Sequence, residues 1–336
     1  MNFLFDQQKN INILIRCDSS NIIGTGHIMR MLNLCEYYPN HKFTFLCRNF
    51  NMNISNKIID KNHELILLDY NIEPELNNYR TWIGKEYNDE INEFKLIVEK
   101  NKYNIILIDH YGIDYLLEQE IKKYCDKIIV ITDIFDFNHY CDIFINYSCD
   151  DLEKIKKINL NKDTEYKIGA KNIILNKKFI DSKIKTIFNK ELKNIIINMG
   201  GSDPPNFTLK IIKIINNYII NNDICVKIII GKSNNHTKSI EDFINNIKNY
   251  KIQFDINYDN MIDLYLNCDL AIGTLSVTAY ERLILNIPQI CLKIVNNQLI
   301  QQLDEFNIVT IDNLLDKIIN YEFIKSKLTG VPNLIS

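Results

Sequence analysis

Short apolar runs alternate along the chain with stretches whose apolar residues recur at helical spacing. In the first half the pattern predicts strands at 11–16, 42–47 (KFTFLC), 64–68 (ELILL), 105–109 (IILID), 127–132 and 143–146, with helices over about 27–38, 88–101 and 113–124. A polar segment, 71–90, holds the only tryptophan, Trp82. The stretch 151–190 is lysine-rich and weakly periodic, and the domain boundary is placed within it, giving an N-terminal domain at 1–180 and a C-terminal domain at 181–336. A second round follows, with strands at 193–199, 225–230, 252–256, 269–272 and 289–293 and helices over 206–220, 260–267 and 273–286. Strands separated by helices imply a parallel sheet covered on both faces. The expected class is therefore α/β, with two Rossmann-like domains facing a cleft, each opened by a glycine-rich first turn. A nucleotide with a second group attached would fill such a cleft.

Composition narrows the picture. With 336 residues, 46% hydrophobic and 24% charged, the chain can bury two cores of ordinary size. A net charge of -3 and a pI near 6.1 give no electrostatic case for a nucleic acid or a membrane surface as partner. The nine cysteines form no CxxC pair and read as reduced core residues, and the scattered histidines show no metal-ligand spacing. Neither a targeting leader nor a membrane-length apolar run is visible, so a cytoplasmic, soluble monomer without metal or cofactor is expected. Heavy use of Asn, Ile and Lys reads as codon bias, since apolar periodicity persists through the Asn-rich tracts.

Candidate chemistry collects at the first turns. Residues 11–34, INILIRCDSSNIIGTGHIMRMLNL, read as strand, glycine loop and helix. Gly24 and Gly26 let a ligand approach the backbone, and His27 stands at the helix start, where the helix dipole opposes added positive charge on the ring and favours its use as a base. Asp18, on the same loop, is placed to hold the imidazole tautomer or to sense a water. The same spacing also suits a capping or core histidine. A second loop, GGSDPPN, offers Gly200, Gly201, Ser202 and Asp203 ahead of a helix, either as a diphosphate cradle or as an ordinary turn. The third, from Gly273 to Arg282, is small and hydroxylic, and Glu281 on its helix is either a ribose acceptor or a solvated residue. In IILIDHYGID the strand ends in Asp109, His110 and Tyr111, placed for ligands, although Asp109 also suits a helix cap. Asn297 and Gln298 follow the last strand.

The run IRCDSSNIIGTGHIMRMLNL resembles the opening of the UDP-2,4-diacetamido-2,4,6-trideoxy-β-L-altropyranose hydrolases of pseudaminic acid biosynthesis, which have a spore-coat polysaccharide protein among their relatives. LIDHYGID, HYCDIFIN at 139–146, INMGGSDPPN at 197–206 and the stretch through Tyr280-Glu281-Arg282 to Asn297-Gln298 match further motifs in the same order. This resemblance implies a glycosyltransferase-B fold, similar to the transferase that adds N-acetylglucosamine to lipid-linked muramyl peptide, but with water as acceptor. It further implies metal-independent cleavage of UDP from its sugar with inversion. His27 would be the general base; Gly200, Gly201 and Ser202 would hold the diphosphate; Glu281 would hold the ribose; Asp18, Tyr111, Asn297 and Gln298 would shape the sugar end. The substrate-binding candidates also include Gly24, Gly26, Asp203 and Ser276.

Some positions depart from the family pattern: Cys17 in place of serine, Asn172 and Asn176 in place of tyrosine and arginine, Ile134 after Asp133, and Leu275 and Val277 in the third loop. These bear on the sugar recognised. Two other readings fit the same residues: a glycosyltransferase whose acceptor meets an apolar patch near Trp82, and a catalytically silent nucleotide-sugar binding protein.

Overall fold

The computed structural model describes residues 4–5, 10–182, 184, 187–201, 203–232, 234–247, 249–292 and 307–328. The chain divides into two compact units, Met1–Lys177 and Lys178–Ser336.

The first unit is built on a seven-stranded parallel sheet: β1 (Asn12–Arg16), β2 (Lys42–Arg48), β3 (Glu64–Leu68), β4 (Ile105–Ile108), β5 (Lys127–Ile131), β6 (Ile143–Asn146) and β7 (Glu165–Ile168), in the order β3-β2-β1-β4-β5-β6-β7. β1 is central, with Ile13 opposite Phe43 on one side and Ile105 on the other. Successive side chains of a strand point to opposite faces. Ile13 and Ile15 accordingly enter one core with Ile28 and Met31 of the helix Gly26–Glu36, while Leu14 enters the other with Ile106 and Phe94. Ile13, Leu14 and Ile15 are buried on both faces of the sheet, which is why the middle of β1 reads as a continuous apolar run, while the buried Arg16 at its end is held by carboxylates.

The second unit repeats this plan with six parallel strands: β8 (Asn194–Asn198), β9 (Cys225–Ile230), β10 (Ile252–Ile256), β11 (Leu270–Thr274), β12 (Gln289–Leu292) and β13 (Ile308–Val309), in the order β10-β9-β8-β11-β12-β13. Ile195 and Ile197 face one core and Ile196 the other.

The apolar pattern does not predict β7 or β13, and both are edge strands. β7 (EYKI) is only half-buried along most of its length, so it carries no continuous apolar run. The polar segment 71–90 also contains order that periodicity misses. Tyr79–Ile83 forms a 3-10 turn in which Trp82 and Ile83 are buried, and the Trp82 indole donates to the Glu75 carbonyl at 2.8 Å.

Candidate active site

In each sheet the strand order reverses beside the first strand, between β1 and β4 and between β8 and β11. Open α/β sheets bind ligands outside the carboxyl ends of the strands at such a point. In the first unit, the loops leaving β1 and β4 meet there through one histidine.

His27 is the second residue of the helix Gly26–Glu36, whose cap residue Thr25 makes no side-chain cap bond. Gly24, at φ +81°, closes the turn before it, and the backbone at Gly24 and Gly26 has open space beside it. The His27 Nδ1 lies 2.6 Å from Oδ1 of Asp109, which follows β4 and is fully buried. Arg30, one helical turn beyond His27, donates to the same carboxylate, Nε to Oδ2 at 2.8 Å and Nη2 to Oδ1, and its Nη1 donates to the Tyr147 hydroxyl. Burial alone would raise the Asp109 carboxyl, but Arg30 and His27 hold it below the usual carboxylate range. An ionised carboxylate at Nδ1 keeps the ring proton on that nitrogen and leaves Nε2 as the acceptor. No described residue hydrogen-bonds Nε2. Tyr111 meets the ring edge-on at 4.7 Å and Trp82 at 6.2 Å, and these two aromatic rings stack on each other at 5.5 Å.

Asp109, and not Asp18, therefore orients the imidazole of His27. The Asp18 carboxylate is fully buried and occupied by three other donors: Arg16 Nη1 at 2.7 Å, the Arg48 backbone amide at 2.5 Å and His110 Nε2 at 3.1 Å. His110 is neutral in this arrangement. Its Nδ1 accepts from the Gly112 amide at 3.0 Å, so the ring proton sits on Nε2 and is donated to Asp18, and burial lowers the ring's proton affinity. The helix after β4, Tyr115–Ile121, is capped by Asp114, which leaves Asp109 free of the capping role the sequence allowed it. Tyr111 donates its hydroxyl to Asp133, and burial, followed by that carboxylate, pushes the phenol well above its ordinary range. It stays protonated at neutral pH and cannot serve as a base there.

In the second unit, Met199 to Asn206 leads from β8 to the helix Phe207–Asn221. Gly200 adopts φ +85°, a conformation that favours glycine. Open space lies beside Gly200 and Gly201, so a ligand could approach their backbone. Asp203 is placed differently from the sequence expectation. It is buried, and its two carboxylate oxygens accept from the Phe207 and Thr208 amides at 2.8 and 2.9 Å. The start of this helix already holds an anion of the chain's own, and Asp203 acts there as a cap. Ser202, Asn297 and Gln298 lie outside the described residues.

Gly231, which no motif singled out, sets the position of the glycine loop. A Cβ there would lie 2.3 Å from the Gly201 carbonyl oxygen and 2.6 Å from that of Gly200. Gly231→Ala should therefore displace the loop and destabilise the second unit by about 1–3 kcal/mol, the usual cost of overpacking. Thermal unfolding read with a probe in that unit checks this, and an unchanged midpoint would show that the loop yields without cost.

The third loop joins β11 to the helix Val277–Ile284, which has no acidic residue in its first turn. Its cap residue Ser276 makes no side-chain cap bond; the Ser276 hydroxyl instead lies between those of Thr274 and Thr278, at 2.8 and 2.9 Å. Arg282 is fully buried and bonds Gln289 Oε1 at 2.8 Å and the Thr274 carbonyl at 3.3 Å. Glu281 is half-buried, and burial pushes its carboxyl up to about 7 against the opposing effect of Arg282. No described residue hydrogen-bonds the Glu281 carboxylate.

Sequence reasoning does not bring Arg30, Trp82, Asp133 or Tyr147 to the histidine site; it names Trp82 only as part of an apolar acceptor patch. Arg30 alone has a local signal for this role, because a residue three positions after His27 shares its helix face. Among the described residues no group of three or more His, Cys, Asp or Glu side chains is arranged to hold a metal ion, and no helix is long and apolar enough to cross a membrane.

The chain is similar to three proteins of defined sequence. An uncharacterized protein of Methanocaldococcus jannaschii is 30% identical over 298 residues, 84% of this chain and 55% of that protein, so the chain spans about half its length. The UDP-2,4-diacetamido-2,4,6-trideoxy-beta-L-altropyranose hydrolase of Campylobacter jejuni is 26% identical over 84% of this chain and 92% of that enzyme. The spore coat polysaccharide biosynthesis protein SpsG of Bacillus subtilis is 23% identical over 82% of this chain and 75% of that protein. At the level of family, the chain is related to that hydrolase and to SpsG. No protein-family model matches it. Among solved structures, Acinetobacter baumannii MurG superposes with a TM-score of 0.61 at 9% identity, covering 97% of this chain and 96% of that one. The Staphylococcus aureus MnaA–UDP co-structure gives 0.62 at 9% identity, with 97% and 92% covered. The fold of this chain is of the glycosyltransferase-B type.

Proposed function

We propose that the protein acts on a UDP-linked sugar, and that it hydrolyses a UDP-linked 2,4-diacetamido-2,4,6-trideoxy sugar to UDP and the free sugar, as in pseudaminic acid biosynthesis. The observation that carries this reading is the 2.6 Å contact between His27 Nδ1 and Asp109, which leaves Nε2 as an oriented acceptor. Similarity to the Campylobacter hydrolase over 84% of this chain and 92% of that enzyme supports the substrate class.

In this reading His27 Nε2 takes a proton from water as the water oxygen attacks the anomeric carbon. The bond from that carbon to the diphosphate oxygen breaks, UDP leaves with the electron pair, and the configuration inverts. Tyr111 and Trp82 hold the imidazole ring in place for this step. The backbone at Gly200 and Gly201, with Ser202, takes the diphosphate and stabilises its developing charge. The uncapped start of the helix Val277–Ile284 offers further amides to the same charge. Asp203 caps the helix that follows the loop. Glu281 accepts hydrogen bonds from the ribose hydroxyls, and Asn297 and Gln298 contribute at the sugar end.

Phosphorus NMR of the protein with UDP-2,4-diacetamido-2,4,6-trideoxy-β-L-altrose, without added metal, tests the reading. Release of free UDP is the expected result. An intact substrate in the presence of UDP binding would overturn hydrolysis of this sugar and direct the search to other UDP-sugars and to acceptors.

The Glu281 assignment predicts a pH dependence. Burial pushes its carboxyl up to about 7, and ribose hydroxyls would donate to the ionised form. UDP affinity should thus be greatest above that pH and weaken as pH falls through it, and Glu281→Ala should weaken UDP binding and remove its pH dependence. Calorimetry across pH 6 to 8.5 checks this; equal affinity throughout would place the ribose elsewhere.

A further inference from the structure

The Asp109 carboxylate receives donors from two residues, and the second of them is a full positive charge. Arg30 grips both oxygens in a forked arrangement, and its Nη2 lies 3.4 Å from His27 Nδ1. The guanidinium is itself fixed by the Tyr147 hydroxyl and by that ring, whose centroid is 5.3 Å from its central carbon. Arg30, Asp109 and the neutral imidazole therefore sum to zero charge in a nearly closed site.

Resting on the reading of His27 as base, we propose that Arg30 is a positioning residue with an electrostatic role. It orients Asp109 on His27 and neutralises it, so that the imidazolium formed during reaction is not trapped by an uncompensated carboxylate. A buried Asp–His pair without a counter-charge strongly favours the protonated ring. Such a ring would no longer accept a proton from water. With Arg30 in place, the carboxylate still sets the tautomer while its pull on the proton is tempered. Arginine suits this better than lysine because its planar fork meets both carboxylate oxygens at once.

The groups facing the His27 ring come from several elements. Arg30 lies on its own helix, Asp109 and Tyr111 on the segment after β4, and Trp82 on the turn 79–83. Asp133, after β5, acts through Tyr111, and Tyr147, after β6, acts through Arg30. Of these, Arg30 brings the single positive charge and Asp109 the single negative charge in direct contact with the ring.

The test is an NMR titration of the full chain labelled with nitrogen-15 histidine, with the His27 signals assigned from the His27→Gln spectrum. In the wild type the neutral His27 should show its proton on Nδ1. Arg30→Met should raise the His27 titration midpoint by about one pH unit or more, a tenfold gain in proton affinity, because the carboxylate is then unopposed. Asp109→Asn should lower it, and the double variant should fall between the two. Arg30→Lys should give a smaller rise, and it decides the matter alone if the methionine variant does not fold. An unchanged or lowered midpoint in a folded Arg30 variant would overturn the proposal and leave Arg30 a packing residue. These midpoints do not depend on turnover, so they stand apart from the hydrolase reading, which fails only if the wild type leaves UDP-sugars intact. Where turnover is measurable, the acid limb of kcat should move to higher pH together with the NMR midpoint while KM stays constant.

Discussion

His27→Ala should lower the rate of UDP release by roughly a hundredfold or more, the usual contribution of a positioned general base, while leaving UDP affinity nearly unchanged. The separation of the two effects follows from the placement of the side chain. His27 contacts Asp109, Arg30, Tyr111 and Trp82, all in the first unit, and the nucleotide is assigned to Glu281 and the glycine loop. Turnover by phosphorus NMR and UDP binding by calorimetry, run on the same preparation, check it. Near-normal turnover would remove His27 from the mechanism, and a matching loss of UDP affinity would assign it to binding.

Glu90→Ala should cost the first unit about 3 kcal/mol, near the lower end of the range for breaking a buried ion pair. Arg16 and Arg48 are fully buried, and both donate to Glu90, Arg16 through Nε at 3.0 Å. Truncation leaves each guanidinium short of one charged acceptor in a region closed to water. The loss stays at the lower end because each keeps a second carboxylate: Asp18 for Arg16, and Glu93 for Arg48 at 2.7 Å. Urea unfolding followed with a probe in the first unit measures the change, and a loss under about 1 kcal/mol would mean that water or rearrangement satisfies both arginines. Since Asp18 bonds Arg16 as well as the Arg48 amide, Glu90→Ala should also loosen the loop that carries Asp18.

These two experiments probe different roles for charge. At His27 a carboxylate fixes the tautomer of a ring that, under the proposed function, takes up a proton during reaction. At Glu90 carboxylates hold two arginines that do not change. His110 belongs with the second group: its neutral ring is locked between the Gly112 amide and Asp18. The two clusters of histidine, arginine and carboxylate look alike as residue types, and only their partners separate the proposed base from a structural histidine.

The features legible in the order of residues are local ones. The apolar runs within β1, β4, β8 and β11 can be read directly because the central residues of strands buried on both faces are apolar in succession. The glycines at 24 and 200 stand out because sharp turns demand conformations other residues resist. His27 at a helix start and Glu281 within a helix follow from periodicity alone, and the ordered motifs pointed to the family. Which residues act together is settled by folding. Asp109 is 82 positions from His27, and Tyr147 is 117 from Arg30, yet parallel strand order brings the ends of β1, β4 and β6 to one edge of the sheet. The same packing assigns Asp18 to Arg16 and His110, and gives Asp203 to the helix that follows it. A carboxylate can cap, pair or bind with the same neighbours in sequence. Which of these it does depends on the donors that the folded sheet places around it, and those donors come from segments far away along the chain.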